Sequence, residues 1–350
     1  MKNQRILKYS EALNEALLQG MEKNPDVYVM GCGVADAEGI FGTTIAAARR
    51  FGEDRVMNVP LSENAITGIG IGSAIMGKRP VMVHARNDFL LLAMDQIVNH
   101  GAKWKFMSGG RLNCPLVIRA IVGRGWGQAA QHSQSLQSLF SHIPGLKIAL
   151  PASAYDAKGL LLAAINDADP VILIEHRLLY ETTTHVPYDS YTVPLGKGQV
   201  VRSGKNVTIV AFSYMVKEAL AAAKVLEEEG IDVEVVDPRS TSPLDMDTIL
   251  TSVYKTRRVI VADTGWENYG ISAEICSKIY EQAFNLLKGP IKRIALPNES
   301  TPCSPALEKR YYPGVKDLIE SAEALMKART KKMVGTDSLP REHANFHGPF

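Results

Sequence analysis

Short apolar runs alternate with amphipathic stretches along nearly the whole chain, and this alternation leaves few folds open. In the first half DVYVMG, RVMNVP, PVMVHA, CPLVIRAIVG, LKIALPAS and PVILIEH read as strands. Helical stretches lie between them. YSEALNEALLQGMEKN carries Leu13, Leu17 and Met21 at buried spacing, GIFGTTIAAARRFG follows a Gly-rich loop, FLLLAMDQIVNHGAKWKFMSG reads as one long helix, and 155–166 as another. Apolar strands separated by helices predict a mostly parallel sheet covered on both faces. From Leu179 to about Gly204 the pattern lapses into a polar stretch with Pro and Gly. A second series then follows, with VTIVAF, DVEVVD, RVIVAD and IKRIAL as strands and a closing helix near 315–330. The expectation is two α/β domains, 1–190 and 205–330, joined by a linker over 191–204. A polar tail over 331–350 is expected to be disordered or to lie on a partner.

The run LSENAITGIGIGSAIMGKRP places Gly68, Gly70 and Gly72 inside an apolar stretch. A dinucleotide loop needs its glycines directly after a strand, where a helix opens. Here they follow Glu63, within an expected helix. A glycine there costs roughly 1 kcal/mol relative to alanine, which is tolerable where something packs closely. Close helix packing is the expected reason for them.

Charge excludes several functions. Lys and Arg total 39 and Asp and Glu 37, so no field points toward nucleic acid or a membrane surface. Cys32, Cys114, Cys276 and Cys303 form no close pair, zinc pattern or disulfide framework, which favours a reducing compartment. The N-terminal MKNQRILKYSEALNEALL has no apolar run followed by a cleavage site, so neither a signal peptide nor a transmembrane helix is expected. A soluble cytoplasmic protein is the resulting expectation.

Read alone, the polar residues have ordinary explanations. Glu63 is an acid at a helix N-terminus. Phe89 is a core aromatic, Cys32 a small buried residue, and Asp167 and Asp169 form a surface turn before Pro170. In AAQHSQSLQSLFSHIPG, His142 sits at a helix end, where a histidine interacts well with the last carbonyls. His132 lies in a Gly-rich loop ahead of that helix, and Ser133 and Gln134 can orient the loop. No base and acid stand near Ser133 to make it a nucleophile.

Several long segments in order alter these readings. VPLSENAITGIGIGSAIMGKRPV, NDFLLLAMDQIVNHGAKWKFMSGG, AAQHSQSLQSLFSHIPGLKIALP, YDAKGLLLAAINDADPVILIEHRLLY and GIDVEVVDPRSTSPLDMDTILTSVYKTRRVIV resemble the beta subunit of thiamine-diphosphate-dependent 2-oxoacid dehydrogenases. The pyruvate, branched-chain oxoacid and acetoin enzymes belong to that group, and the match covers roughly residues 5 to 325. The resemblance implies an α/β pyrimidine-binding domain followed by a transketolase-type C-terminal domain. It implies thiamine diphosphate as cofactor and an alpha partner, usually in an α2β2 assembly. That partner holds the diphosphate through Mg2+ with a Gly-Asp-Gly motif followed by Asn. No GDG occurs in this chain, which therefore looks like half a site. A lipoyl-bearing acyltransferase is a further implied partner.

The same resemblance assigns roles. Glu63 matches the carboxylate that holds a proton at the aminopyrimidine N1′, so that the neighbouring 4′-amino group can take the C2 proton. Phe89 matches the pyrimidine-stacking residue. His132 matches the channel histidine that can hydrogen-bond or protonate charged oxygens during acyl transfer. Backbone carbonyls near Leu116, Ala164, Asp167 and Asp169 match a potassium site found in many relatives. Two departures stand out. GCGVAD puts Cys32 where a glutamate near the cofactor is expected, and VMVHARNDF brings in His84 and Arg86 as candidate cations in the substrate pocket. The expected activity is decarboxylation of a 2-oxoacid with transfer of the acyl or aldehyde unit to lipoamide. The alternative is a split transketolase-like or synthase subunit that passes the carbon unit to an aldehyde or ketone.

Overall fold

The computed structural model describes residues 5–125 and 127–327, so the tail expectation lies outside the described residues. The first sheet has seven strands in the order Ser240–Ser242, Lys147–Ala149, Val171–His176, Val117–Val122, Arg79–His84, Val27–Gly31 and Val56–Asn58. Every pair is parallel except the first. Val117–Val122 and Val171–His176 are buried along their whole length, which explains why they lack apolar–polar alternation. Alternate residues feed two cores. Val81, Val83, Val117 and Ile121 meet helices Tyr9–Lys23 and Ala154–Asn166. Met82, Ile118 and Val122 meet helix Glu63–Ile75 and the 87–101 region.

The second sheet has the order Lys292–Leu296, Val259–Trp266, Val207–Ala211, Val233–Asp237 and Gln199–Arg202. Its last strand is antiparallel. Helices Tyr214–Glu228 and Val315–Lys327 cover one face, and Met246–Thr256 and Ile271–Ala283 the other.

Three details differ from the sequence reading. Gln199–Arg202 falls inside the expected linker yet forms an edge strand. The long helix expected over 89–109 is instead a 3-10 turn at Asn87–Ala93, a π segment at Gln96–Gly101 and a short helix at Trp104–Met107. The widened π turn brings Gly101 against Ile71, where a Cβ would sit 3.4 Å from its side chain. Among the three glycines, Gly70 packs on Met82 and Gly68 on Gln96, but Gly72 faces open space, so close packing explains only two of them.

The domains are sewn together. Ser240–Ser242 leaves the second domain to pair with Lys147–Ala149 in the first sheet. From the other side, Ser135 bonds Thr264 at 2.9 Å, Gln137 donates to Asp263 at 2.7 Å, and Ser138 accepts from the Ile271 amide at 2.9 Å. The serines and glutamine of AAQHSQSLQSLFSHIPG thus bridge the domains.

Candidate functional site

The chain leaves Val27–Gly31, adds Val56–Asn58 on one side, then crosses to add Arg79–His84 on the other. In parallel α/β sheets, ligands bind outside the carboxyl ends of the strands at such a reversal. Gly31 pairs with Val83 there, and a Cβ on it would come within 2.5 Å of the Val83 carbonyl oxygen. Cys32 and His84 follow directly and so end neighbouring strands.

Two loops meet at this edge. One continues from Arg79–His84 and the other from Val117–Val122. Arg86 Nε donates to Gln128 Oε1 at 2.9 Å, the Gln134 amide donates to Asp88 Oδ1 at 3.1 Å, and Asn87 Nδ2 donates to the Gln134 carbonyl at 3.5 Å. Between these ties the rings of Phe89 and His132 meet edge to face, with centroids 5.4 Å apart. A Cβ on Gly123 would lie 2.1 Å from the His132 carbonyl oxygen, so only glycine lets the loop fold back this far. Phe89 is 36% exposed rather than buried in the core, leaving part of its ring open to a ligand.

Glu63 opens helix Glu63–Ile75 and is half-buried. Its carboxylate makes no hydrogen bond or ion pair to the described residues. An acid committed only to a helix N-terminus keeps its oxygens available to a donor from outside. Cys32 is exposed, against the expectation of a small buried residue. Its thiol has no cationic neighbour that would activate it among the described contacts.

His84 departs from expectation in a different way. The strand ends at His84 and the chain bends at Ala85, so strand alternation does not carry His84 and Arg86 to one face. The imidazole is 7% exposed, and burial pushes its pKa down to about 4. It is neutral at pH 7, so the departure adds one cation here, not two. His84 Nε2, Asn87 Oδ1, Asp88 Oδ2 and Ser133 Oγ are all buried without a protein partner. Unpaired polar atoms gathered at the meeting of two loops fit a polar ligand. Burial also raises the Asp88 carboxyl above its ordinary value.

The expected potassium carbonyls lie away from this edge. Leu116 O accepts from Val171 N at 2.9 Å, Ala164 O from Asp167 N at 3.2 Å, and Asp167 O from Arg79 at 2.9 Å. Asp167 and Asp169 form a turn whose carboxylates Lys147 and Lys105 neutralise. His142 caps the end of helix Gln137–Ser141, donating its amide to Ser138 O at 3.2 Å.

A buried network escaped the sequence reading. Arg119 Nε donates to Glu175 Oε1 at 2.5 Å, Arg119 also donates to Thr43 Oγ1 at 2.9 Å, and Tyr180 Oη donates to Glu175 Oε2 at 2.6 Å. Arg119 and Glu175 are fully buried on adjacent strands, and the network anchors the loop that carries Phe41. The available signal was a charged residue within each of two otherwise apolar strands. Among the described residues no three His, Cys, Asp or Glu side chains could together hold a metal ion, and no helix is long and apolar enough to cross a membrane.

Two α/β domains with a ligand edge on the first are the architecture of transketolase-like enzymes. The comparisons agree with it. Residues 6–183 match the transketolase pyrimidine-binding domain and 196–318 the transketolase C-terminal domain. The beta subunit of acetoin:2,6-dichlorophenolindophenol oxidoreductase from Cupriavidus necator is 43% identical over 92% of this chain and 98% of its own. The pyruvate dehydrogenase E1 beta-1 subunit of Oryza sativa is 41% identical over 89% of this chain and 85% of its own. A split-gene transketolase, solved as an inactive beta4 tetramer, shares the fold with a TM-score of 0.75 at 23% identity, over 92% of this chain and 99% of its own. The chain belongs to the transketolase-like family of 2-oxoacid dehydrogenase beta subunits.

Proposed function

We propose that this chain is the β subunit of a thiamine-diphosphate enzyme that decarboxylates a 2-oxoacid and passes the acyl unit to lipoamide, and that it works only with an α partner. The observation that carries the reading is the ligand edge itself, where Phe89 and His132 touch beside four unpaired buried polar atoms. Thiamine diphosphate, when bound, supplies a nucleophilic carbon and an electron sink. Phe89 offers a partly open ring face for a pyrimidine. Glu63 holds a proton at the pyrimidine N1′ through a charge-assisted hydrogen bond. His132 would offer a hydrogen bond to an oxoacid oxygen that gains negative charge. Cys32 ends the strand next to these groups and lines the cofactor side without a proton-transfer role.

The partner reading has support of its own. Ile69, Met76 and Leu92 are 60–84% exposed on helix Glu63–Ile75, at its end and on the segment packed beside it. An apolar surface of this kind is a mark of protein association. The α subunit would bring the Mg2+-diphosphate half in an α2β2 assembly. For potassium, the Leu116, Ala164 and Asp167 carbonyls each keep a lone pair beyond the bond they accept, and Asp169 closes the turn. A higher melting temperature in KCl than in choline chloride is the expected result, and equal values remove the ion.

The deciding experiment is co-expression with α chains carrying Gly-Asp-Gly and Asn, followed by assay of 2-oxoacids with lipoamide or with aldehydes. Oxoacid-dependent reduction of lipoamide is expected. A new carbon–carbon bond without lipoamide reduction would establish the synthase alternative.

A further inference from the structure

A groove of about 510 Å3 runs between the domains at the start of helix Ala154–Asn166. The first domain supplies Tyr155 and the segment 182–184 to its walls, and the second supplies Val201, Val216 and Leu220. None of Glu63, Phe89 and His132 lines it. Its size and mostly apolar walls are those of a small-molecule site, which typically spans about 300–1,000 Å3 and converges on a few polar groups.

Those groups are Asp156 and Asp237, both lining the groove and both buried. Asp156 is fully engaged. Its Oδ2 accepts from Ser153 Oγ at 2.5 Å, and its Oδ1 lies 2.7 Å from the Arg239 guanidinium, which also donates to Gln199. Asp237 ends strand Val233–Asp237 and is engaged by half. Its Oδ1 accepts from the Arg239 amide at 2.8 Å, while Oδ2 is buried with no partner among the described residues. Burial, and then the charge of Asp156, hold this carboxyl above its ordinary range, against the amide bond and charge of Arg239. Two carboxyl groups with one guanidinium leave the floor one positive charge short once both acids are ionised. The other ionisable groups nearby do not supply it. The Tyr9 hydroxyl donates to the Pro151 carbonyl at 3.4 Å, and Glu181, beside Thr182, is taken by Lys8 at 2.6 Å. Lys217 lines the groove with its ammonium 5.5 Å from the Tyr214 ring centre and no carboxylate partner among the described residues.

We propose that this groove binds a small organic monoammonium compound, its charged head on Asp237 and its apolar body between helix Tyr214–Glu228 and the segment 182–184. A buried acceptor without a partner is costly, and a charged donor relieves that cost most fully. Apolar walls suit an alkyl body better than a hydrated metal ion, and among the described residues no three His, Cys, Asp or Glu side chains could together hold a metal. Lys217 repels a second positive charge, so a monoamine is preferred to a diamine. Both domains contribute walls, so the ligand also stabilises their docked arrangement.

The test needs no turnover and stands apart from the proposed activity. Calorimetry and melting curves on the full-length chain compare pentylammonium with 1,5-diaminopentane, pentanoate, K+ and Ca2+. Pentylammonium is expected to bind one per chain and raise the melting temperature, with the diamine weaker and pentanoate inert. Its affinity should rise from pH 6 to 8.5, because Asp237 ionises while the amine stays protonated. Asp237→Asn should weaken binding at least about tenfold, the scale of one charge-assisted contact, and abolish the pH dependence. Lys217→Met should bring the diamine close to the monoamine. If Asp237→Asn does not fold, Lys217→Met decides on that ratio, and an unchanged ratio overturns the proposal. Equal binding by wild type and Asp237→Asn, or no binding of pentylammonium by the wild type, also overturns it. Asp237-dependent binding of K+ or Ca2+ in preference to the amine overturns the assignment to an organic cation.

Discussion

Glu63 is a half-buried acid with nothing to hold. Asp26, Asp167 and Asp169 all bond lysines, whereas Glu63 has no partner among the described residues. Glu63→Gln keeps the shape and removes the charge. The assembled variant should lose about 3 kcal/mol of transition-state stabilisation, roughly 100-fold in rate. Exchange of the cofactor C2 proton is the direct measurement, and wild-type exchange would exclude Glu63 from the chemistry. Asp263 is the opposite case, a buried carboxyl whose pKa burial pushes up to about 6 against the bonds from Gln137, Thr264 and Gly265. Because the folded pKa lies above the unfolded one, the folded state binds more protons between about pH 4 and 6. Stability from this residue therefore falls as pH rises through that window. Asp263→Asn should flatten the slope and raise stability at pH 8 by about 2–3 kcal/mol. Melting curves from pH 4 to 8 check this, and an unchanged slope would contradict it.

At the scale of elements, the site is two loops held in register by side chains that are not themselves reactive. Gln128, Gln134, Asn87 and Asp88 join the loop after Arg79–His84 to the loop after Val117–Val122. Gly123 permits the second loop to fold back onto its own strand. Gly123→Ala would drive a Cβ into the His132 carbonyl and toward Arg86 Nε, 3.1 Å away. Backbone contacts this short force the loop to move. The variant should lose at least tenfold in turnover while Glu63-dependent C2 proton exchange persists. Faster amide exchange across 127–134 is the accompanying signature, and unchanged turnover would show that the His132 position is not critical.

At the scale of the whole molecule, the chain carries exposed apolar side chains beside its candidate site and keeps its domains together by polar contacts. Ile69 is 62% exposed on the helix that begins with Glu63, so the apolar surface and the candidate catalytic acid share one element. Ile69→Asp should leave the melting temperature of the isolated chain within a degree or two, since an exposed side chain contributes little to its core. It should weaken association with the α subunit by tenfold or more, read by sedimentation. Retained association would place the partner elsewhere. Calorimetry should find weak thiamine diphosphate binding by the isolated chain and tight binding by the assembly.

The alternation of apolar strands and helices was legible residue by residue, because strands buried on both faces must be apolar throughout and the helices between them must be amphipathic. The family was legible from long matching segments, and the same segments put forward Glu63, Phe89 and His132 as candidates. What stayed hidden depends on contacts between distant parts of the chain. AAQHSQSLQSLFSHIPG looked like an active-site segment, yet most of its hydroxyls and Gln137 bridge to the second domain, because their partners Thr264, Asp263 and Thr241 lie more than a hundred residues away or close to it. The strand Ser240–Ser242 joins the first sheet for the same reason. His84 and Arg86 looked alike as two new cations. Burial makes the first neutral, while a bend at Ala85 turns the second toward Gln128 and Phe41. Charge and direction at those two positions follow from local dielectric and packing, which local sequence does not encode.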